Sequence, residues 1–307
     1  MKSEREKAKL SLRGATFGTT TPFLKEGGLD EEGFCSNLEF YIKSGIKSFV
    51  IGGFTGEVTA LTSEERKRLY QLAVEQSAGR ATIIVDTHHP TSLNEAIALA
   101  RYAEEAGADF AYMMVPQYYW KTRDEALLDF FKKIAKQVKI GIVIYANSYR
   151  TGIHVKPSLM KGLLQYENIV GIKIAEADIV EVTEMIAAVG DEIVVSVGWD
   201  AHAVHGEIYG APYYFGMVGN FDPKLELKFE QAVINLDRKK LRQILFSFTP
   251  LRKFYGEVDA PVVLKAAQEM VGLVGGPARF PLIPMTKQQR MRLRKILEDL
   301  GTRVIRG

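Results

Sequence analysis

The sequence predicts an α/β protein, a (β/α)8 TIM barrel with a C-terminal helical extension. Eight short runs rich in β-branched residues alternate with longer segments of helical period, which is the pattern of parallel βαβ units. The runs recur at intervals of roughly 25 to 35 residues, and eight units favour a closed barrel over an open doubly wound sheet, which usually has about six strands. After the eighth run only helical patterns follow.

Each predicted strand combines a short apolar run with a helix signal after it. Behind the second strand, Thr62 or Ser63 caps a helix, and Glu64 and Glu65 occupy its first turn, where the helix dipole favours carboxylates. In chain order the strands are GATFGTT at 14–20, SFVIGG at 48–53, ATIIVD at 81–86, DFAYMMV at 109–115, IGIVIY at 140–145, NIVGIKIA at 168–175, EIVVSV at 192–197 and APYYFGMV at 211–218.

Helical segments make up the remainder of the chain. No Ser/Gly-rich linker separates them from the strands, so we expect residues 1–222 to form the catalytic barrel and residues 223–307 to form a helical region packed on it. The predicted helices lie near 224–236, 238–253, 259–272 and 286–300.

Composition and charge argue against several classes of protein. The 307 residues include 40 basic and 37 acidic side chains, a formal net charge of +3, without a basic stripe that could follow nucleic-acid phosphates. The charged N-terminus lacks an apolar signal segment, and no apolar run reaches the ~18 residues of a membrane span, so we expect a soluble, cytoplasmic protein. The single cysteine, Cys35, fits a reducing compartment, and we expect it to be an inert buried thiol.

A lysine at the end of the sixth predicted strand is the strongest candidate for chemistry. Side chains alternate along a strand, so Ile169, Gly171 and Lys173 share the face opposite the β-branched one. Lys173 therefore points into the barrel near its carboxyl end, where such barrels place their active sites. Desolvation there lowers the pKa of an amine and leaves a nucleophile for ketones; the alternative is a rim lysine paired with a carboxylate.

Three further features belong to the same end of the barrel. Tyr145 ends the fifth strand on the inward face, where a phenol either exchanges protons with a carbinolamine or fills the barrel. The turn GGFTGE at 52–57 offers the hydroxyl and amide of Thr55 to a carboxylate, although Gly-rich turns also occur for conformational reasons alone. Arg150 is the nearest cation after the fifth strand, and it either holds a carboxylate of the substrate partner or remains solvated.

Together these motifs resemble the dihydrodipicolinate synthase and N-acetylneuraminate lyase family, the Schiff-base class I aldolases that act on pyruvate and related 2-oxo acids. The resemblance runs through most of the chain, with order and spacing in agreement. It rests on TPF at 21–23, GFTGE at 53–57, VPQYYW at 115–120, YANSYRTG at 145–152, GIKIAEAD at 171–178 and LKAAQEMVGLVGGPARFPLIPMT at 264–286.

The resemblance implies the central residues of the active site. Lys173 matches the Schiff-base lysine of the family, and Tyr145 matches its catalytic tyrosine. Thr55 with Gly56 matches the pocket that holds the carboxylate of pyruvate.

The resemblance also implies residues around that centre. Arg150 matches the arginine that binds the carboxylate of the aldehyde partner, and Tyr119 matches a tyrosine contributed across a dimer interface. Gly198 and Phe215 fall near positions that line the pocket through backbone atoms, so we expect little from their side chains.

Two features depart from the family pattern. Phe54 stands where the synthases carry the first of two hydroxyl residues, which hydrogen-bonds the catalytic tyrosine and relays protons toward solvent. Phe54 in the substrate pocket implies a rerouted or absent relay, which argues against an ordinary lysine-biosynthetic synthase. His88 and His89 stand at the catalytic rim in place of small residues and are candidates for that relay, unless they are exposed loop histidines.

Two other readings of the chain compete with a Schiff-base enzyme. A metal-dependent aldolase would use Asp200, His202 and His205, since two histidines three apart share a helix face, but a third convergent ligand is required. A barrel that binds a 2-oxo acid without turning it over would follow from a relay interrupted at Phe54.

The sequence thus predicts a Schiff-base-forming lyase or aldolase that acts on pyruvate or a related 2-oxo acid. The alternatives are 4-hydroxy-tetrahydrodipicolinate synthase proper and a 2-keto-3-deoxy sugar acid aldolase or dehydratase, since these chemistries share Lys173. No cofactor or metal is required, because the lysine supplies the electron sink. The expected partners are a 2-oxo acid, an aldehyde of unspecified identity and further copies of the chain in a homodimer or homotetramer, with no nucleic acid and no membrane.

Overall fold

The computed structural model describes residues 3–89, 92–117, 123–176 and 178–305. Within these residues, eight strands follow one another in chain order around a closed barrel, which confirms the predicted (β/α)8 fold class. Each strand falls on the run that predicted it. The strands are β1 (Gly14–Gly18), β2 (Ser48–Ile51), β3 (Thr82–Asp86), β4 (Phe110–Met114), β5 (Gly141–Ala146), β6 (Ile169–Ile174), β7 (Val194–Val197) and β8 (Tyr213–Phe215).

Helices follow the strands and make up the C-terminal part of the described chain. In chain order they are α1 (Glu4–Ser11), α2 (Glu31–Lys43), α3 (Ser63–Ser77), α4 (Leu93–Glu105), α5 (Asp124–Ala135), α6 (Ser148–Thr151), α7 (Pro157–Leu163), α8 (Ile179–Val189), α9 (Ala203–Tyr209), α10 (Pro223–Ile234), α11 (Arg238–Tyr255), α12 (Ala260–Val271) and α13 (Lys287–Asp299). The last four coincide with the four predicted C-terminal segments. Throughout the described residues, no helix combines the length and hydropathy needed to cross a bilayer.

Local side-chain chemistry sets the ends of several helices. The Thr62 hydroxyl accepts a hydrogen bond from the backbone N–H of Glu65, and the Glu65 carboxylate accepts one from the backbone N–H of Thr62, as predicted for the start of α3. The sequence pattern does not predict α1. Its Arg5 side chain donates to the carbonyl oxygens of Tyr166 and Ile169, so a long-range contact fixes this short helix near the start of β6.

By their contacts the residues form two compact units. The first comprises the chain through Thr16 together with Thr82–Phe215, and the second comprises Phe17–Ala81 together with the chain from Gly216 onward. The predicted boundary between the barrel, residues 1–222, and the helical region, residues 223–307, lies after the last strand, and it stays a prediction.

The first unit is built on the ladder of strands β3 to β8. In the β5–β6 pair Tyr145 is the partner of Lys173, and Val143 is the partner of Gly171. A Cβ atom on Gly171 would lie 2.9 Å from the backbone oxygen of Val194, so the ladder requires glycine here. Ile172, on the other face of β6, is fully buried, as predicted for the β-branched face.

The second unit has an aromatic core. The Phe17 ring packs edge-on against Tyr41 and Phe49, with centroid separations of 5.2 and 5.4 Å. The buried Tyr41 hydroxyl donates to the carbonyl oxygen of Asn220 and accepts from the Gln268 amide. Each polar atom of this tyrosine is therefore satisfied away from water.

Cys35 lies on α2 in the second unit. Its side chain is half-buried, so the prediction of a fully buried thiol is wrong. Partial burial nevertheless raises the pKa of the thiol, which leaves it protonated and weakly nucleophilic at neutral pH.

Candidate active site

The side chain of Lys173 lies among three aromatic rings of the first unit. Its Nζ is 3.8 Å from the ring centroid of Phe215, 4.4 Å from that of Tyr145 and 5.7 Å from that of Tyr112. These residues lie on β8, β5 and β4, so three strands deliver their rings to the same place. Lys173 itself is half-buried, which leaves the amine in contact with apolar surface yet within reach of a small substrate.

This environment changes the ionisation of the amine. Burial lowers the pKa of Lys173 to about 7, while the carboxylate of Asp86 acts to raise that pKa and the guanidinium of Arg150 lowers it further. At pH 7 roughly half of the amines are therefore neutral, compared with about one in 2,500 for a lysine of ordinary pKa. A neutral amine is the form that attacks a ketone.

Tyr145 is a buried phenol beside the amine. Its ring stacks on Tyr112 at a centroid separation of 5.1 Å, and its hydroxyl accepts a hydrogen bond from Asn147 Nδ2 at 2.8 Å. Burial raises the pKa of Tyr145, and the hydrogen bond from Asn147 and the charge of Arg150 oppose that rise only in part. The phenol is thus a proton donor at neutral pH, with its lone pairs oriented by Asn147.

A carboxylate and an imidazole form a buried pair after β3. Asp86 Oδ1 accepts hydrogen bonds from the backbone N–H of His88 at 3.0 Å and from its Nδ1 at 2.7 Å. The Gln117 amide nitrogen lies 3.3 Å from His88 Nε2 and donates to it. Asp86 is 2% exposed and His88 is 1% exposed, so this pair lies within the folded interior.

The segment after β5 is fixed by two polar side chains. Asn147 caps α6 by accepting from the backbone N–H of Arg150, and Glu176 accepts from the backbone N–H and the hydroxyl of Ser148. Arg150 is exposed, but its charge acts on both the amine of Lys173 and the phenol of Tyr145. A flexible cation at this position can reach an anionic group of a bound molecule.

In the second unit, the turn after β2 is a short 3-10 helix, Phe54–Gly56. Thr55 is buried, and the Thr21 hydroxyl donates to the carbonyl oxygen of Gly56 at 2.8 Å. A Cβ atom on Gly56 would lie 3.0 Å from the Thr19 carbonyl oxygen, so this turn leaves little room for a side chain. Phe54 is half-buried.

The glutamate that follows this turn has a structural role. Glu57 adopts a left-handed backbone conformation, with φ 58°. Its carboxylate pairs with the Lys265 ammonium at 2.5 Å, with 2% exposure of both side chains, and accepts from the Arg279 backbone N–H at 2.8 Å. The glutamate that ends GGFTGE therefore ties the turn to the C-terminal segment GGPARFP.

Comparison with known proteins decides the family of this chain. The model of the dihydrodipicolinate synthetase family matches residues 11–300. The chain is 32% identical over 292 residues to the 4-hydroxy-tetrahydrodipicolinate synthase of Methanothrix thermoacetophila, which covers 94% of this chain and 97% of that protein. The chain belongs to the dihydrodipicolinate synthetase family.

Solved structures of the dihydrodipicolinate synthetase family share its fold. Dihydrodipicolinate synthase from Aquifex aeolicus superposes with a TM-score of 0.89 at 29% identity, over 96% of this chain and 100% of that one. The chloride-inhibited synthase from Acinetobacter baumannii, complexed with pyruvate, superposes with a TM-score of 0.88 at 30% identity, over 95% and 100%. As a member of this family the chain is an enzyme, a Schiff-base-forming, pyruvate-dependent lyase of the class I aldolase type.

The structure brings several of the predicted site residues of this family member together. Lys173, Tyr145 and Phe215 meet in the first unit, where Arg150 also acts on the amine. Phe54, Thr55 and Gly56 form the turn of the second unit. Tyr119 lies outside the described residues.

Gly198 and Phe215, the two positions expected to act through their backbone atoms, differ in the structure. A Cβ atom on Gly198 would lie 2.6 Å from the Cβ of Ala175, so this position contributes backbone only, as expected. Phe215 was expected to act through its backbone as well, but its ring is the closest of the three to the Lys173 amine. Its side chain therefore helps to desolvate the amine.

The two histidines that follow β3 occupy different environments. His88 is buried against Asp86, so the alternative of an exposed loop residue is wrong for it. His89 is half-buried, and its Nδ1 accepts from the backbone N–H of Ser92, the residue that caps α4. His88 is thus the one placed among the active-site groups.

The residues suggested as metal ligands do not converge in the described part of the chain. There, the group of donors close enough for one ion is His154, Glu176 and Glu181, with donor atoms within 4.8 Å of one another. The rings of His202 and His205 instead pack edge-on with centroids 6.3 Å apart.

Sequence reasoning missed Asp86, Tyr112 and Asn147 as functional candidates. Asp86 and Tyr112 lie on strands whose alternation was readable, because Asp86 follows Ile84 on one face of β3. Asn147 has no such signal, since its contact with Tyr145 depends on the path of the chain after β5.

Proposed function

We propose that Lys173 forms an imine with the ketone of a 2-oxo acid, with pyruvate as the first substrate. The enamine derived from this imine adds to an aldehyde, or is produced when a longer 2-oxo acid is cleaved to release one. The observation that carries this proposal is the half-buried amine of Lys173, which lies among three aromatic rings with its pKa lowered to about 7. Family membership supports it, as does the related synthase from Acinetobacter baumannii, whose structure is complexed with pyruvate.

Imine formation releases one molecule of water. The nitrogen lone pair of the neutral amine bonds to the carbonyl carbon, and the carbonyl oxygen leaves as water with one of the two amine hydrogens and one proton taken up from solvent. The product is a cationic iminium whose nitrogen keeps one hydrogen. Tyr145 donates a proton to the departing oxygen, and as phenolate it accepts one when the adjacent carbon loses a proton to give the enamine.

Resemblance to the family supports further roles outside this centre. Thr55 and Gly56 bind the carboxylate of the 2-oxo acid, in a turn that Phe54 makes more apolar than two hydroxyl residues would. Arg150 binds a carboxylate on the aldehyde partner. Tyr119 acts across a subunit interface, in a homodimer or homotetramer that works in the cytoplasm.

The partner aldehyde distinguishes two candidate reactions. An aldehyde that carries a carboxylate suits Arg150 and corresponds to 4-hydroxy-tetrahydrodipicolinate synthase, the activity named for the Methanothrix relative. A hydroxylated aldehyde or a 2-keto-3-deoxy sugar acid is the alternative, and Phe54, which stands where the synthases carry a hydroxyl residue, favours it over the ordinary synthase. Aldol addition starts from an enamine on the lysine, aldol cleavage produces one, and loss of a β-hydroxyl passes through one.

Borohydride trapping tests the central step. The purified protein is mixed with pyruvate, reduced, and mapped by peptide mass spectrometry, beside Lys173→Ala and the control Lys161→Ala, which removes an exposed lysine on α7. We expect a reduced pyruvate adduct on Lys173 in the wild type and in the control, and none in Lys173→Ala. A folded wild type that traps neither pyruvate nor longer 2-oxo acids would refute the proposal.

A further inference from the structure

A buried carboxylate faces the Schiff-base lysine. Asp86 is the Cα partner of Tyr112 in the parallel β3–β4 pair, so both side chains project from the same face of the sheet. The Tyr112 ring lies 5.7 Å from Lys173 Nζ, which identifies that face as the one the amine occupies. Asp86 is 2% exposed, and the steps proposed above leave it without a role.

His88 fixes the position of this carboxylate. Its Nδ1 lies 2.7 Å from Asp86 Oδ1, and its Nε2 lies 3.3 Å from the amide nitrogen of Gln117. Two hydrogen bonds from one residue also hold the orientation of Asp86 Oδ1.

We propose that Asp86, held by His88, is the counter-charge of the Schiff-base nitrogen and a positioning residue for the iminium. This inference rests on the proposed function, since it concerns the imine of Lys173. In that step a neutral amine, a ketone and one proton give water and a nitrogen that bears a full positive charge. A cation formed in an aromatic, half-buried environment is costly unless an opposite charge accompanies it.

The charges around Lys173 support this assignment. On β4 and β5 the facing groups are the neutral phenols of Tyr112 and Tyr145, and β8 contributes the apolar ring of Phe215. Arg150, after β5, lowers the pKa of Lys173, whereas Asp86 raises it. Glu176, after β6, acts on Tyr145. Among the described groups that shift the pKa of this amine, Asp86 is thus the one of opposite charge.

The charge of Asp86 has a measurable signature in the free enzyme. Asp86→Asn keeps the shape and an acceptor oxygen but removes the charge, so the pKa of Lys173 should fall by about 1 to 3 units. The same loss should weaken the cationic imine, raising the pyruvate concentration needed for half-maximal trapping by about tenfold or more. A role confined to the support of the fold would leave the pKa of Lys173 unchanged.

Competitive labelling with trace acetic anhydride reports the pKa of Lys173. Peptide mass spectrometry follows the labelling of this lysine between about pH 4 and pH 10, with exposed lysines as internal references. The variants are Asp86→Asn, Asp86→Glu, which retains the charge, and Asp191→Asn, the same change at an exposed position of the first unit. We expect the labelling midpoint to fall only in Asp86→Asn, with Asp86→Glu closer to the wild type.

Further variants separate the outcomes. His88→Asn preserves the charge of Asp86 and a nearby donor, so the labelling midpoint of Lys173 in this variant should remain within about 0.3 pH units of the wild type. An equal fall in His88→Asn would assign the effect to the imidazole and overturn the proposal, as would an unchanged midpoint in folded Asp86→Asn. If Asp86→Asn does not fold, Asp86→Ser removes the charge with less bulk, and the labelling midpoint of Lys173 should fall in that variant too. Trapping of pyruvate on wild-type Lys173 with no effect of the Asp86 variants would refute this inference alone; absence of trapping would refute the proposed function.

Discussion

Protonation of Lys173 should control the rate at which this enzyme activates pyruvate. With the pKa lowered to about 7, the neutral fraction of the amine is roughly one-eleventh one pH unit below that value, one-half at it and ten-elevenths one unit above it. The rate of imine formation should therefore rise about fivefold and then about twofold over these two successive pH units and level off beyond them. An amine of ordinary pKa would instead give a tenfold rise per unit throughout this range.

Proton exchange of pyruvate measures this profile without knowledge of the aldehyde. Each enamine exchanges a methyl proton with solvent, so loss of the methyl proton signal in deuterium oxide reports imine and enamine formation together. The quantity to plot is kcat/KM against pH, because it reports the ionisation of the free enzyme. Lys173→Ala provides the background rate, and Lys161→Ala should reproduce the wild-type profile.

One result would refute the reasoning about burial. If kcat/KM continued to rise tenfold per unit up to about pH 9, the amine would have the pKa of a solvated lysine, and the aromatic surroundings would contribute no desolvation. A fall of kcat/KM at still higher pH would leave the argument intact, since ionisation of Tyr145 removes a proton donor.

Four further predictions concern single groups. Tyr145→Phe should lower kcat for proton exchange by about 10²- to 10⁴-fold, because it removes the proton donor. Arg150→Ala should raise KM about tenfold or more for aldehydes that carry a carboxylate but leave KM for pyruvate within about twofold, because a charged hydrogen bond is lost only to the partner. Lys173→Met should stabilise the protein below pH 10.5. In that range the unfolded amine is ionised while the folded amine stays neutral down to about pH 7, so the free energy of unfolding of the wild type falls by up to ~1.4 kcal/mol for each pH unit of acidification. Glu57→Gln should lower the free energy of unfolding by about 3–5 kcal/mol in guanidinium titrations, because it leaves buried Lys265 unpaired.

Matched variants test whether each effect belongs to its site. The same changes at exposed positions are Tyr209→Phe, Arg101→Ala, Lys161→Met and Glu64→Gln, and we expect little change in activity or stability from any of them. Equal kinetic losses for pyruvate and acidic aldehydes in Arg150→Ala would contradict its assignment to the partner. A stability gain of Lys173→Met that did not grow as pH fell from about 10 to 7 would contradict the burial of the amine.

Much of the fold and the centre of the site were predictable from the sequence. The alternation of apolar runs with helical segments predicted the eight strands, and the two-residue period of strands placed Lys173 and Tyr145 on inward faces. The pairing of these two residues followed because β5 and β6 are neighbours in chain order. The extra helix α1 was not predicted, because its position depends on Arg5 contacts with carbonyl groups far along the chain.

The tertiary structure decided how the side chains work together. The sequence by itself determined the barrel, the candidate nucleophile and the family motifs, since each depends on local periodicity or on short segments. It did not determine that Phe215 desolvates Lys173, that His88 holds Asp86 in the interior, or that Glu57 pairs with Lys265. Such contacts depend on the register of strands and the course of loops, and it is burial in the folded chain that turns Lys173 from a solvated cation into an amine with a pKa of about 7.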